Sequence, residues 1–189
     1  ATQKEIAVLY SQMGDSKKAL DYLKRSIRIC RKMNNDIKVA IAFHIMGLVY
    51  HLSGDYDNAL KYMERSLKML EEVDSFRWTI FLPLFDLGRY NFDKGVYDKA
   101  IEYLEKSIVI QRKVEFKGDG CLLWATTFLF LSYKKVGRKY DESIIHSLIN
   151  ENDYIQYDNS FALYQLLEDT SYLETAYKQV EETADNLEP

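Results

Sequence analysis

The side chains that most often carry chemistry are few in this chain of 189 residues, which contains three histidines and two cysteines. His44 and His51 are seven residues apart, so on one helix they share a face but lie about 10 Å apart along the axis. One zinc ion cannot join them, because its bonds to nitrogen are only about 2.0 Å long. We therefore predict that both histidines line a polar binding surface, the alternative being incidental positions on the exterior.

Catalytic motifs are missing from the sequence. His146 stands beside Ser147, but neither these residues nor Cys121 have the spacing of a known nucleophile and base. The chain also lacks G-x-S-x-G, a glycine-rich phosphate loop and H-E-x-x-H. We interpret Cys30 and Cys121 as small buried hydrophobic residues. We expect no enzymatic activity, no metal and no other cofactor.

The charge balance gives no reason to expect a nucleic-acid or membrane partner. Lys and Arg number 25 against 29 Asp and Glu, and the net charge of −4 supplies no general attraction to phosphate groups. Basic runs such as Lys24-Arg25 and Lys134-Lys135 are typical of the solvated face of a helix. The sequence has neither an apolar run of about 18 residues nor a secretory signal at its start. Together with two isolated cysteines, this predicts a cytoplasmic protein.

The scarcity of proline and glycine indicates which elements must position these residues. The chain has two prolines and eight glycines, where average usage would give about nine and about thirteen. Folds of many short strands need more of both residues in their turns, so the composition predicts a mostly helical protein. With 47% hydrophobic and 29% charged residues, long disorder is disfavoured.

An internal repeat determines the architecture. Gly14, Gly54 and Gly95 are 40 and 41 residues apart, and a weaker copy begins 42 residues later at Gly137 with one extra residue in its turn. The segments that align almost residue for residue are 14–27, 54–67 and 95–108. The turn glycines suit the positive φ that closes a helix, and an Asp or Ser follows to cap the next one.

A second pattern precedes each turn. Its copies are Ala7-x-x-Tyr10, Phe43-x-x-Met46-Gly47-x-x-Tyr50 and Leu84-x-x-Leu87-Gly88-x-Tyr90. Gly47 falls on an apolar helical face, where its missing side chain lets a neighbouring helix approach, and Ala59 supplies a matching small surface. The spacing therefore predicts closely packed helix pairs.

These patterns resemble the tetratricopeptide repeat (TPR) over residues 2 to 150, in the long-period variety of 40 to 42 residues found in kinesin light chains and bacterial regulatory proteins. The closing proline of the usual repeat is absent, which lengthens each second helix. The resemblance implies an all-α, right-handed superhelix of about five antiparallel helix pairs in a single array, the last pair degenerate or capping. The expected repeats lie at about 1–35, 36–74, 75–117, 118–152 and 153–189.

Apolar periodicity and capping residues predict ten helices. They lie near 2–13, 16–33, 37–53, 56–73, 76–94, 97–115, 119–136, 139–150, 155–168 and 171–187. Pro83 leaves two alternatives for the fifth: a helix kinked near Thr79, or one that begins near Ile80 with Pro83 in its first turn. In the last helix an apolar stripe that includes Leu173, Tyr177 and Val180 is opposed by a charged face.

The family resemblance implies that the first helix of each pair lines a concave groove. Groove positions carried over from the family are Lys4, Val8, Ser11, Gln12, His44, Leu48, His51, Phe85, Arg89, Phe92, Trp124, Thr127, Phe128 and Lys134. For the phenylalanines and Trp124, ordinary packing between helices is the alternative. The clamp that holds acidic chaperone tails is not assembled, because Lys4, Glu5 and Val8 stand at its positions in the first repeat.

The resemblance implies a non-catalytic scaffold or regulatory sensor module that binds a protein or peptide segment in this groove. The partner is either a short peptide or a neighbouring domain of the same chain. The alternative function is structural self-assembly into a homo-oligomer through exposed end helices or aromatic surface. Because the first repeat begins about one turn into its first helix, we expect the sequence to be a piece of a longer chain.

Overall fold

The described part of the chain, residues 14–73, 80–113 and 120–185 of a computed structural model, is helical and contains no strand. Its helices match nine of the ten expected ones, with ends that differ by up to five residues; the segment near 2–13 lies outside the described residues. The helices are α1 (Ser16–Lys32), α2 (Asp36–Leu52), α3 (Tyr56–Glu71), α4 (Phe81–Asp93), α5 (Tyr97–Lys113), α6 (Cys121–Val136), α7 (Glu142–Asn150), α8 (Tyr157–Leu167) and α9 (Thr170–Asp185).

The turns repeat in geometry as they do in sequence. Gly14, Gly54 and Gly95 adopt φ values of 75°, 77° and 78°, in the left-handed region that glycine enters without steric cost. The next residue in the first two turns, Asp15 or Asp55, accepts a hydrogen bond from the backbone N–H three positions on, at 3.2 and 3.1 Å. Each cap satisfies one of the unpaired N–H groups at a helix start, which fixes where the second helix of the pair begins.

The chain divides into two units, residues 1–96 and 97–189. In the first, here called unit 1, α2 packs against α1 and α3, and α3 also packs against α4. A Cβ on Gly47 would lie 3.0 Å from Met63 Cε and 3.2 Å from the carbonyl oxygen of Ala59. Ser66 donates a hydrogen bond of 2.8 Å to the carbonyl of Ala40 across the same contact. The close α2–α3 approach predicted from Gly47 and Ala59 is therefore present.

In the second unit, unit 2, α6 packs against α5, α7 and α8, and α8 packs against α9. Its core contains the fully buried Leu104, Leu123, Ile145 and Leu163. First helices of successive repeats, α6 and α8, thus lie side by side in this unit. The last helix contributes little to the core, because Ala176 is its one buried residue in the described range.

Pro83 lies in the first turn of α4, which begins at Phe81. Its missing N–H costs no hydrogen bond there, because the first N–H groups of a helix have no partner within it. The described start of α4 agrees with the later of the two alternatives. The position of the other alternative, the kink near Thr79, lies outside the described residues.

Candidate functional site

Two histidine–aspartate pairs join α2 to α4 in unit 1. Nε2 of His44 lies 2.7 Å from Oδ2 of Asp86, and Nε2 of His51 lies 2.9 Å from Oδ2 of Asp93. Because a carboxylate only accepts hydrogen bonds, Nε2 of each histidine carries the proton. Both partners advance by seven residues, so the pairs follow one another along two helices that run in the same direction. We call these four residues the His–Asp ladder.

Aromatic rings hold the outer end of the ladder. The His51 ring stacks on Tyr90 with centroids 4.0 Å apart and an interplanar angle of 15°, and it meets the Tyr56 ring edge-on at 5.4 Å. Burial raises the pKa of Tyr90 well above its ordinary value, the charge of Asp86 adds to that rise, and the Arg89 guanidinium opposes it. A carboxylate thus holds each histidine, and two rings also hold His51, with no nucleophile beside either among the described contacts.

An exposed apolar stripe runs along α2 beside the ladder. Ile41 and Leu52 are exposed and Leu48 is half-buried, at positions i, i+7 and i+11 of one helix face. The 41-residue repeat period maps Ile41 onto the exposed Leu82 of α4 and Leu48 onto the half-buried Arg89. We call these five residues the unit 1 face. Its four apolar members and Arg89 lie on α2 and α4, the two helices that the ladder joins.

The sequence-predicted residues of unit 1 divide into three groups. His44, Leu48, His51, Arg89 and Phe92 are half-buried, on α2 and α4. Phe85 is 7% exposed and belongs to the core, so ordinary packing, the stated alternative, is correct for it. The remaining four, Lys4, Val8, Ser11 and Gln12, lie outside the described residues.

In unit 2, Trp124 and Phe128 are half-buried on α6, but Thr127 is misplaced in the predicted set. It is fully buried, and its hydroxyl donates a hydrogen bond of 2.8 Å to the carbonyl of Leu123. Thr127 stands ten residues before Gly137, as Phe85 stands ten residues before Gly95, and Phe85 is buried as well. We therefore exclude Thr127 from any contact surface.

Lys134, the last predicted residue, joins α6 to the end of α8. Its Nζ lies 2.7 Å from Oε1 of Glu168 and donates to the carbonyl of Leu166 at 3.2 Å. The hydrogen bond to Glu168 raises the pKa of Lys134, and the same bond lowers the pKa of Glu168. Glu168 itself has φ 60°, at the helix end where the earlier turns have glycine. Lys134 is thus engaged in holding this glycine-free turn.

The sequence analysis did not identify the carboxylates of the ladder or the exposed Ile41, Leu52 and Leu82 as site residues. The repeat period could have located both groups. The three apolar residues follow from the helical spacing of Leu48 and the 41-residue period, and each ladder carboxylate stands one residue beyond that period from its histidine.

The described part of the chain shows neither a group of metal-ligating side chains nor a membrane-spanning helix. In residues 14–73, 80–113 and 120–185, no three His, Cys, Asp or Glu side chains form a group that could hold a metal ion. No helix in the same ranges is long and apolar enough to cross a bilayer.

Two family models, both of the tetratricopeptide repeat, match residues 1–72 and 83–113. The chain is a tetratricopeptide repeat protein. Proteins of this family are generally non-catalytic scaffolds that bind proteins or peptides. Among curated proteins, no sequence matches this TPR protein significantly.

Solved structures show the same fold at low sequence identity. The TPR-like repeats of a protein designated a kinesin light chain from Podosopora anserina are 19% identical, with a TM-score of 0.63, covering 99% of this chain and 96% of that one. BtubC from P. vanneervenii is 18% identical, with a TM-score of 0.63 and coverages of 78% and 59%. The apo form of RapI is 16% identical, with a TM-score of 0.75 and coverages of 95% and 52%. This TPR protein therefore has an all-α helical repeat fold.

Proposed function

We propose that this TPR protein is a non-catalytic scaffold or regulatory sensor that binds a protein or peptide segment across its first helices. The observation that carries the proposal is the unit 1 face: Ile41, Leu52 and Leu82 expose apolar side chains on the two helices that the ladder joins, and Arg89 lies half-buried on one of them. Apolar side chains that are exposed together, with a cation at hand, are typical of protein-binding surfaces. We place the protein in the cytoplasm and treat its repeats as one array.

The His–Asp ladder supports this proposal because it joins the two helices that carry the face. Two hydrogen bonds and one ring stack connect α2 to α4. A partner that binds a preformed surface loses less conformational entropy than one that must order it. The ladder thus serves recognition without performing chemistry.

The proposal is tested by comparative affinity capture. The face variant combines Leu52→Ala, Leu82→Ala and Arg89→Ala, and leaves out Phe85, whose truncation in the core would cost about 3–5 kcal/mol. The matched control combines Ile29→Ala, Val109→Ala and Arg28→Ala, which removes two exposed apolar side chains and one arginine elsewhere. We expect a partner that the wild type and control retain and the face variant loses. Equal capture by all three would contradict the proposal.

The partner is either a short peptide or a neighbouring domain of the same chain, and binding measurements distinguish the two. If it is a short peptide, that peptide alone binds the purified chain with the same affinity as the protein that contains it. If it is a neighbouring domain of a longer chain, a polypeptide that contains both the repeats and that domain binds other proteins more weakly, because the domain occupies the face.

Self-assembly is a second candidate, favoured by α9. Leu173, Tyr177 and Val180 form an apolar stripe that is exposed, whereas Ala176 is buried. Covering this stripe with a second copy would remove it from water. Light scattering over a concentration series tests the candidate: a monomer at every concentration eliminates it, and a dimer abolished by Tyr177→Glu supports it.

A further inference from the structure

A cavity of about 360 Å³ lies in unit 2, between the first turn of α6, the segment that joins α7 to α8, and the first turn of α8. This volume is within the range of small-ligand pockets. The lining residues that matter for its chemistry are Trp124, Glu151, Asn152, Asp153, Tyr154 and Asn159. The last five belong to the inter-repeat segment and the start of α8, outside the unit 1 face.

Asn159 is the unusual residue in this wall. It is only 4% exposed, and its Oδ1 has no hydrogen-bond partner among the described residues. A buried acceptor without a partner is unfavourable, because it has lost its bonds to water. The geometry therefore favours a bound group that supplies an N–H donor.

The rest of the lining is rich in acceptors and negatively charged. Glu151 and Asp153 contribute two carboxylates, and Lys and Arg are absent from the described residues of the lining. Asn152 uses its amide N–H on the carbonyl of Leu148, at 2.7 Å. Its Oδ1 is thereby left as an acceptor at the same wall, 3.2 Å from where a Cβ on Gly120 would stand. The two carboxylates attract a cation.

Two aromatic rings on the lining also favour a planar cation. Trp124 is half-buried and Tyr154 is exposed on the lining. Indole and phenol rings attract cations over their faces, and a planar guanidinium also stacks on them. A guanidinium carries five N–H donors and no acceptor, which matches the oxygens of Asn159, Glu151 and Asp153.

We propose that this cavity binds a guanidinium group, as an arginine side chain of the bound polypeptide or as a small guanidinium compound. The inference deepens the proposed function by naming the side chain that a partner would present to unit 2. Asn159 and the two carboxylates accept its N–H groups, and Trp124 covers its plane. The site is separate from the His–Asp ladder, so each can be tested alone.

The test uses the full chain, labelled with ¹⁵N, and follows the indole N–H signal of Trp124, which Trp124→Phe assigns. The probes are N-acetyl-arginine amide, free arginine, N-acetyl-lysine amide and N-acetyl-citrulline amide, whose neutral urea group has nearly the shape of guanidinium. We expect a saturable shift with the arginine amide at a Kd of about 1 mM, and at least about tenfold weaker binding of the citrulline and lysine amides. Equal shifts with citrulline or lysine, or no shift with arginine, would overturn the proposal.

Variants locate the binding within the cavity. Glu151→Gln combined with Asp153→Asn should weaken arginine-amide binding about tenfold, and Asn159→Leu should abolish it. Glu142→Gln combined with Glu181→Gln removes two exposed carboxylates from α7 and α9 and should change nothing. The acidic pair lies on the exterior, so its variant remains informative if Asn159→Leu fails to fold. Unchanged affinity in the acidic variant would overturn the proposal.

Two further comparisons show whether the guanidinium comes from a polypeptide or a small molecule, and whether this inference fails independently of the proposed function. Tighter binding of the blocked amide than of free arginine assigns the guanidinium to a polypeptide, and the reverse assigns it to a small molecule. A partner lost by the unit 1 face variant, with no arginine binding here, leaves the proposed function standing and removes this inference. Arginine binding in the cavity, without any partner that depends on the unit 1 face, supports this inference and contradicts the proposed function.

Discussion

At the scale of single residues, the ladder shows how far side-chain types reveal a site. The spacing of His44 and His51 correctly placed both on one helix. Their partners could not be found in the same way. Asp86 and Asp93 are ordinary carboxylates in the sequence, and their pairing depends on the offset between neighbouring helices, which shifts contacts one residue beyond the repeat period.

The inner pair of the ladder should contribute more to stability than the outer one. The side chains of His44 and Asp86 are 14% and 10% exposed, whereas those of His51 and Asp93 are 15% and 31% exposed. Hydrogen bonds to charged groups contribute about 1.5–3 kcal/mol when shielded, and exposed ion pairs about 0–1 kcal/mol. We expect a coupling free energy of about 2 kcal/mol for His44 with Asp86 and less for the outer pair.

Double-mutant cycles with alanine, followed by urea unfolding, measure both couplings. Phe92→Ala, beside the outer pair, serves as a control for general loosening of α4. A coupling at the inner pair no larger than at the outer pair would contradict the view that burial decides their strength.

Tyr133 predicts how stability changes at alkaline pH. Burial, followed by its hydrogen bond to Glu105 at 2.5 Å, raises the pKa of Tyr133 from 10.0 to about 12, and Arg138 partly opposes the rise. Below pH 10 the phenol is neutral in both folded and unfolded chains, so its contribution is fully present. Between pH 10 and about 12 the unfolded chain ionises first, so that contribution is lost.

Urea unfolding of the wild type and Tyr133→Phe, compared at several pH values, isolates this group from the other tyrosines. The stability difference between the two proteins should stay constant up to pH 10 and shrink above it. A difference that is flat through pH 12, or that grows, would show that Tyr133 is not held neutral by its surroundings.

At the scale of elements, the repeat was more informative than any single residue. Because the glycine turn recurs in three copies and the Asp cap in the first two, the helix starts at Ser16, Tyr56 and Tyr97 were predictable to the residue. The outward face of α6 was not, because the position ten residues before the turn glycine is half-buried at His44 but buried at Phe85 and Thr127. The cavity beside Trp124 was equally inaccessible, since the α7–α8 segment that forms its wall has no copy elsewhere in the chain.

Gly47 tests whether close packing of α2 on α3 outweighs helix propensity. Alanine in place of glycine stabilises a helix interior by about 1 kcal/mol. Here a Cβ would press on Met63 and on the backbone oxygen of Ala59, and overpacking costs about 1–3 kcal/mol. We therefore expect Gly47→Ala to lower the free energy of unfolding by about 1 kcal/mol net.

Thermal and urea unfolding measure this change, with Met63→Ala as a second background. Removing the flexible methionine end should recover only part of the loss from Gly47→Ala, because the Ala59 carbonyl cannot move away. A stabilised Gly47→Ala protein would mean that the helices have room to separate.

At the scale of the whole molecule, the sequence predicted the family and fold class that the comparisons show, and it left the partner open. The reason is physical: the repeat is set by packing between helices, which recurs in every copy and is visible as a period. Recognition depends on side chains that differ between copies. Leu82 and Arg89 stand where α2 has Ile41 and Leu48, so the period shows where the surface lies but does not identify the partner that binds it.

The central claim, that this protein is a binding scaffold whose contact surface is the unit 1 face, is tested most directly by calorimetric titration with the purified partner. The variant carrying Leu52→Ala, Leu82→Ala and Arg89→Ala should bind at least about tenfold more weakly than wild type, a loss of about 1.4 kcal/mol or more. The control carrying Arg28→Ala, Ile29→Ala and Val109→Ala should bind like wild type. A Kd that is the same for all three folded proteins would contradict the claim.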